Sequence, residues 1–171
     1  MVTTWPEPVE RVSSFLRESG AEARIHEFPE GTPTAADAAA AVGCGVECIV
    51  KSLVLVCDGR SVVALVPGDR RGDTAKIAAA VGASSARIAK AEEVEDATGF
   101  SPGAVAPFPL PGVEEVLMER ELFRHHVVWA GAGSPRHVVG LAPAELARVA
   151  QARPMDVVTD ETYDSPKPKE S

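Results

Sequence analysis

Apolar positions in the first half of the chain recur with two distinct periods. Val9, Val12, Phe15 and Leu16 fall at helical spacing and Gly20 follows as a stop, which predicts a helix over residues 8–19. Ala23 to Phe28 reads as a short strand. Thr34 precedes an alanine-rich run, with Asp37 three residues on; this predicts a capped helix to Val42, ended by Gly43. From Val46 to Val56 nearly every position is apolar, as in a strand covered on both faces. Asp58-Gly59 predicts a tight hairpin turn, Ser61 to Val66 the returning strand, and Pro67 to Gly72 a loop.

The second half continues in shorter pieces. Asp73 or Thr74 caps a helix through Val81, with Gly82 as its stop. Ala86 to Ile88 reads as a short strand and Lys90 to Thr98 as a helix stopped by Gly99. Residues 99–112 are rich in Gly and Pro but apolar between them, so they predict an ordered loop and not a polar linker. Val113 to Met118 is a strand, Glu119 to Phe123 a helical turn, and His126 to Ala130 and Arg136 to Leu141 are strands around a Gly-containing turn. Pro143 opens a last helix to about Ala150, and Met155 to Val158 adds an edge strand. Helices and strands mix without regular alternation, and the Asp58-Gly59 hairpin requires an antiparallel pair. The expected class is α/β, with a mixed, largely antiparallel or barrel-like sheet surrounded by helices. One domain is expected over residues 1–158, followed by a polar, disordered tail over 159–171.

Composition narrows this picture. With 171 residues, 45% of them hydrophobic, the chain can bury one sizeable core. No apolar run approaches the roughly 20 residues that span a bilayer, and the N-terminus lacks the basic start and apolar stretch of a signal peptide, so no membrane association and a cytoplasmic location are expected. Cys44, Cys48 and Cys57 are odd in number, and Cys44-x3-Cys48 has no second ligand pair nearby. Neither a disulfide framework nor a metal site is expected, and small buried thiols are. The net charge is −8. Five acids and two lysines within residues 156–171 account for −3 of it, leaving −5 on the rest. Nucleic-acid binders usually present a basic face, so any RNA contact is expected to be local or assisted by a partner.

Two features break the pattern. Lys51 lies inside the Cys48–Val56 apolar run, and a buried ammonium is costly unless a pocket or partner uses it. A strand end from which the lysine snorkels out is the alternative. Gly99-Phe100-Ser101-Pro102-Gly103 can present main-chain N–H groups to a carbonyl or carboxylate. A plain helix-to-strand connection is its alternative. Arg70, Arg71 and Lys76 cluster before a helix and could meet phosphates, or simply line a solvated loop. His137 alternates with Val139 and Leu141 as a core histidine would. Asp37, Asp58 and Asp69 are explained by caps and turns. His26, His125 and His126 show no partner pattern.

Lys51-Ser52-Leu53-Val54, followed some 50 residues later by Gly99-Phe100-Ser101-Pro102-Gly103 and the overlapping Gly103-Ala104-Val105-Ala106-Pro107, resembles the YbaK and prolyl-tRNA synthetase-associated editing family. The order of elements over residues 8–158 is similar too. This resemblance implies a metal-independent aminoacyl-tRNA deacylase that needs no cofactor. It removes a small wrong amino acid (Cys, Ala, Ser or Thr) from a tRNA, with tRNA(Pro) as the expected adaptor. Lys51 would be the catalytic cation, and Gly99, Phe100, Ser101, Pro102 and Gly103 would hold the aminoacyl group. The segment from Trp129 to His137 matches the family's pocket-lining turn, which adds Gly131, Ser134 and His137 as binding candidates. The partners implied are the aminoacyl-tRNA acceptor end and an aminoacyl-tRNA synthetase. Two rivals stand beside this. One is a non-catalytic module of the same fold that binds a ligand or a protein. The other is a phosphate-ligand hydrolase at Gly68–Asp73, which lacks the Walker spacing and its Lys-Ser/Thr end.

Overall fold

The computed structural model describes residues 5–162. The expected helices form. Helix α1 (Glu7–Glu18) buries Val9, Val12 and Leu16. Helix α2 (Ala35–Val42) is capped by Thr34, whose hydroxyl accepts from Asp37 N–H at 3.0 Å, and it ends on Gly43 at φ 79°. Helix α3 (Thr74–Ala80) is capped by the Asp73 carboxylate, α4 (Ala91–Thr98) ends on left-handed Gly99, and α5 (Pro143–Ala150) starts on its proline.

Strands β1 (Ala23–Glu27), β2 (Ile49–Cys57), β3 (Arg60–Pro67), β5 (Ala86–Ile88), β6 (Glu115–Glu119), β7 (Val128–Ser134), β8 (His137–Leu141) and β9 (Ala152–Met155) share one mixed sheet. Its path runs β1-β8-β7-β2-β3-β6-β9, with β5 on the far half of β2. Pairs β1/β8, β7/β8, β2/β3 and β2/β5 are antiparallel, while β2/β7, β3/β6 and β6/β9 are parallel. Asp58 and Gly59 both take positive φ, 51° and 81°, as the tight turn between β2 and β3 requires.

The near-continuous apolar runs of β2 and β3 follow from burial on both faces. Val50, Val54, Val63 and Leu65 face one core with Val12 and Leu16 of α1, Leu146 of α5, Phe100 and Phe108. Leu55, Val62, Ala64 and Val66 face a second core with Ile77 of α3, Val157 and Val158. Each fully buried side chain of this size contributes about 1.5–3 kcal/mol.

Several expected boundaries move. Val46–Cys48 is a 3-10 turn, so the lysine strand starts at Ile49. The expected loop at 67–72 contains a second small sheet: β4 (Arg70–Gly72) pairs with β10 (Val158–Thr162). The single edge strand expected at 155–158 is replaced by β9 and β10, so ordered structure passes the expected start of the tail. Residues 163–171 of that tail lie outside the described residues. Strand β7 runs through the expected Gly-containing turn to Ser134, with a register break between Gly131 and Ser134. Among the described residues no helix is long and apolar enough to cross a membrane.

Candidate functional site

A cleft of about 270 Å³ opens where the start of β2, the β7–β8 hairpin, the β1–α2 loop and the Gly103–Val105 loop meet. Lys51, Gly103, Gly131, Ser134 and His137 of the expected site line it. Sequence reasoning missed Thr32, Thr34, Ser52 and Trp129. Thr34 carried a signal, but as a helix cap, and it serves as both cap and wall.

Local geometry explains why these residues converge. Pro135 O accepts Thr32 N–H at 2.8 Å, and Arg136 O accepts Phe28 N–H at 2.7 Å, so the β1–α2 loop is stapled to the hairpin tip. A Cβ on Gly131 would stand 3.3 Å from Val105 O, so this glycine lets the loop backbone close the cleft floor. A Cβ on Gly140 would stand 2.7 Å from the Trp129 ring, so that glycine seats the tryptophan wall. His26 packs edge-on against Trp129 at 5.1 Å between centroids.

Lys51 is half-buried on β2, opposite Val66, and its Nζ donates to Arg70 O at 2.8 Å. Burial is the main cause that lowers its pKa, opposed by Asp69 and reinforced by Arg71. Lys51 also borders a neighbouring hollow with Leu53, Arg71 and Ile88. The next residue, Ser52, has a buried hydroxyl without a hydrogen-bond partner among the described residues.

Half of the expected binding loop is framework. Phe100 is 1% exposed within the larger core, and the Arg11 guanidinium lies 4.6 Å over its ring. Arg11 also donates to Gly99 O at 2.9 Å. Ser101 and Pro102 are exposed and do not line the cleft, whereas Gly103 does. The basic cluster divides as well. Arg70 is engaged by Glu121 and Thr159 O, and Lys76 by Asp156, Asp160 and Val158 O, so both tie β10 to the domain. Arg71 is the member placed beside Lys51.

His137 is 2% exposed. Its Nδ1 lies 2.6 Å from Ser134 Oγ and its Nε2 lies 3.4 Å from Glu27 Oε2, a contact short of a well-aligned hydrogen bond. Burial is the main cause lowering its pKa, with Glu27 opposing and Arg136 assisting, which favours the neutral ring. Cys44, Cys48 and Cys57 are free thiols, and only Cys57 is fully buried. Burial, chiefly, with Cys48 beside it, pushes Cys44 up to about 11. Cys48 Sγ lies 3.5 Å from His125 Nδ1. Among the described residues no group of three or more His, Cys, Asp or Glu is arranged to hold a metal.

Comparisons with known proteins bear on this geometry. Residues 29–149 match the model of the aminoacyl-tRNA editing domain family. A proline–tRNA ligase of Nitratidesulfovibrio vulgaris (strain DP4) is 38% identical over 103 residues, which is 60% of this chain and 18% of the ligase. The chain thus spans less than a fifth of that relative. The uncharacterized protein YwhH of Bacillus subtilis (strain 168) is 31% identical over 137 residues, covering 80% of this chain and 87% of YwhH. A solved structure described as a candidate trans-editing enzyme for prolyl tRNA synthetase superposes with a TM-score of 0.85 at 34% identity, over 91% of this chain and 99% of that one.

Proposed function

Because this chain belongs to the aminoacyl-tRNA editing domain family, we propose that it is a trans-acting deacylase. It hydrolyses the ester of a small mischarged amino acid (Cys, Ala, Ser or Thr) on tRNA, with tRNA(Pro) as the adaptor. The observation that carries this reading is Lys51, a half-buried cation in the wall of a cleft of about 270 Å³. That volume falls below the roughly 300–1,000 Å³ of pockets that take drug-sized ligands, and it suits an aminoacyl group with part of its ribose.

An aminoacyl ester is already activated, so the chemistry needs no nucleophilic triad and no metal. Water attacks the carbonyl, the bond to the ribose oxygen breaks, and that oxygen leaves with a proton, so a free amino acid and an uncharged tRNA end result. Lys51 offsets the negative charge that develops on the carbonyl oxygen or an adjoining phosphate. Trp129, Val105 and the backbone at Gly131 set the size limit that excludes larger cognate amino acids. Arg71, which borders the same hollow as Lys51, meets the acceptor-end phosphates; Arg70 and Lys76 tie β10 to the domain. A synthetase partner supplies the rest of the tRNA grip in the cytoplasm.

The test is a deacylation panel of Ala- and Cys-tRNA(Pro) with Ser- and Thr-charged tRNAs. Wild type should release at least one, and Lys51→Ala should slow that release at least 100-fold, on the order of the cost of removing one preorganised electrostatic contact. Undiminished activity in a folded Lys51→Ala protein would defeat the reading. No release by wild type would favour a non-catalytic binding module.

A further inference from the structure

Ser134 and His137 are the last pair of the β7–β8 hairpin, and His137 also faces Glu27 across β1 and β8. The three side chains form a chain: Glu27 Oε2 to His137 Nε2 at 3.4 Å, then His137 Nδ1 to Ser134 Oγ at 2.6 Å. The imidazole side chain is 1% exposed and Trp5 packs on it at 5.6 Å, while Glu27 is 48% exposed. The ionised groups around the ring are Glu27 on β1 and Arg136 on the turn.

The tautomer follows from these neighbours. An unprotonated Nε2 would set a lone pair against the Glu27 carboxylate, so the proton sits on Nε2. Nδ1 then carries the lone pair and must accept the Ser134 hydroxyl proton. One lone pair of Ser134 Oγ is taken by Arg136 N–H at 3.0 Å. Its donor is spent and one acceptor position remains. Ser134 lines the cleft, so toward a ligand it acts as an acceptor only. An aminoacyl ester offers one charged donor, its α-ammonium, and one neutral donor, the neighbouring ribose hydroxyl, whereas its carbonyl only accepts; the acceptor oxygen gains most from the charged donor.

Building on the deacylase reading, we propose that Ser134 is the acceptor for the α-ammonium group of the aminoacyl ester, and that His137 and Glu27 are positioning residues that hold its hydroxyl in that role. Glu27 never touches the ligand; it acts by fixing the histidine tautomer. If His137 is protonated, Nδ1 becomes a donor, Ser134 rotates to accept from it, and its O–H then faces the ammonium. Recognition of the ammonium therefore lapses in acid.

The test compares two non-hydrolysable ligands by titration calorimetry: 3′-(L-alanylamino)-3′-deoxyadenosine and the propionyl analogue, which lacks the ammonium. Wild type should prefer the alanyl ligand by about tenfold or more, the usual worth of a charge-assisted hydrogen bond. Ser134→Ala should abolish that preference, weakening alanyl binding far more than propionyl binding. In Glu27→Ala, ¹⁵N shifts of the His137 ring should show the Nδ1–H form appearing as the preference falls. Equal binding of both ligands by wild type, or a full preference in Ser134→Ala, overturns this inference while the deacylase reading stands. Binding of neither ligand overturns both.

Discussion

Lys51 carries two opposed requirements. On the proposed reading its charge must reach a substrate, yet it sits on a strand whose neighbours are core, and burial is the largest influence on its ammonium. Because burial lowers the pKa, the charge is lost at a lower pH than the ordinary lysine value of about 10.4. Lysine-dependent deacylation should therefore fall on the alkaline side before an exposed lysine would titrate, once uncatalysed hydrolysis is subtracted. A pH–rate profile for wild type against Lys51→Arg checks this: the arginine variant, if active, should lack that alkaline limb. The lysine was legible in the sequence because a cation in an apolar strand is anomalous by itself. Ser134 with His137 was only half legible, since alternation with Val139 and Leu141 is equally the mark of a core residue. Glu27 was invisible, because only the β1–β8 pairing brings it to the histidine.

The β7–β8 hairpin shows the same division among its glycines. Gly131 and Gly133 look alike in sequence and do different work. A Cβ on Gly131 would push only on Val105 O at the cleft floor, at ordinary φ. Gly133 sits at φ 102°, and its Cβ would stand 2.9 Å from the Pro8 carbonyl group. Gly133→Ala should cost roughly 1–3 kcal/mol in stability through left-handed strain and the clash with the start of α1. Gly131→Ala should cost much less stability and weaken the small-substrate reaction. Denaturant midpoints and deacylation rates measured on both variants check this; equal stability losses would refute the assignment. The Gly99–Gly103 loop teaches a related point. Gly99 and Phe100 are spent on a helix end and the core, and the loop meets the cleft at Gly103. Strand β4 was missed because Arg70-Arg71-Gly72, set between Asp69 and Asp73, reads as a polar loop, and its partner β10 lies far along the chain. Arg70 and Lys76 suggested phosphate contacts for the same reason: the acids that claim them are distant in sequence.

Over the whole molecule, the net charge of −8 opposes a polyanion, so the proposed deacylase would need a narrow grip on tRNA. Two cations, Lys51 and Arg71, stand beside the cleft and its neighbouring hollow. On a single-stranded acceptor end each neutralised phosphate contributes about −0.7 to the slope of log K against log salt. Two such contacts predict a slope of about −1.4, with Arg71→Ala reducing it by about 0.7. Affinity measured between low and physiological salt, on tRNA with a non-hydrolysable aminoacyl end, tests this. A slope near zero would place Arg71 outside the interface. A much steeper one would mean that cations elsewhere on the surface take phosphates and that the domain grips the acceptor stem itself. The shallow slope has a functional consequence. On the proposed reading, an acidic domain holding little more than the charged end would discriminate by the aminoacyl group and would depend on a basic partner, such as the synthetase, for its tRNA. Adding that partner should steepen the salt dependence and tighten binding without changing the order of preference among amino acids.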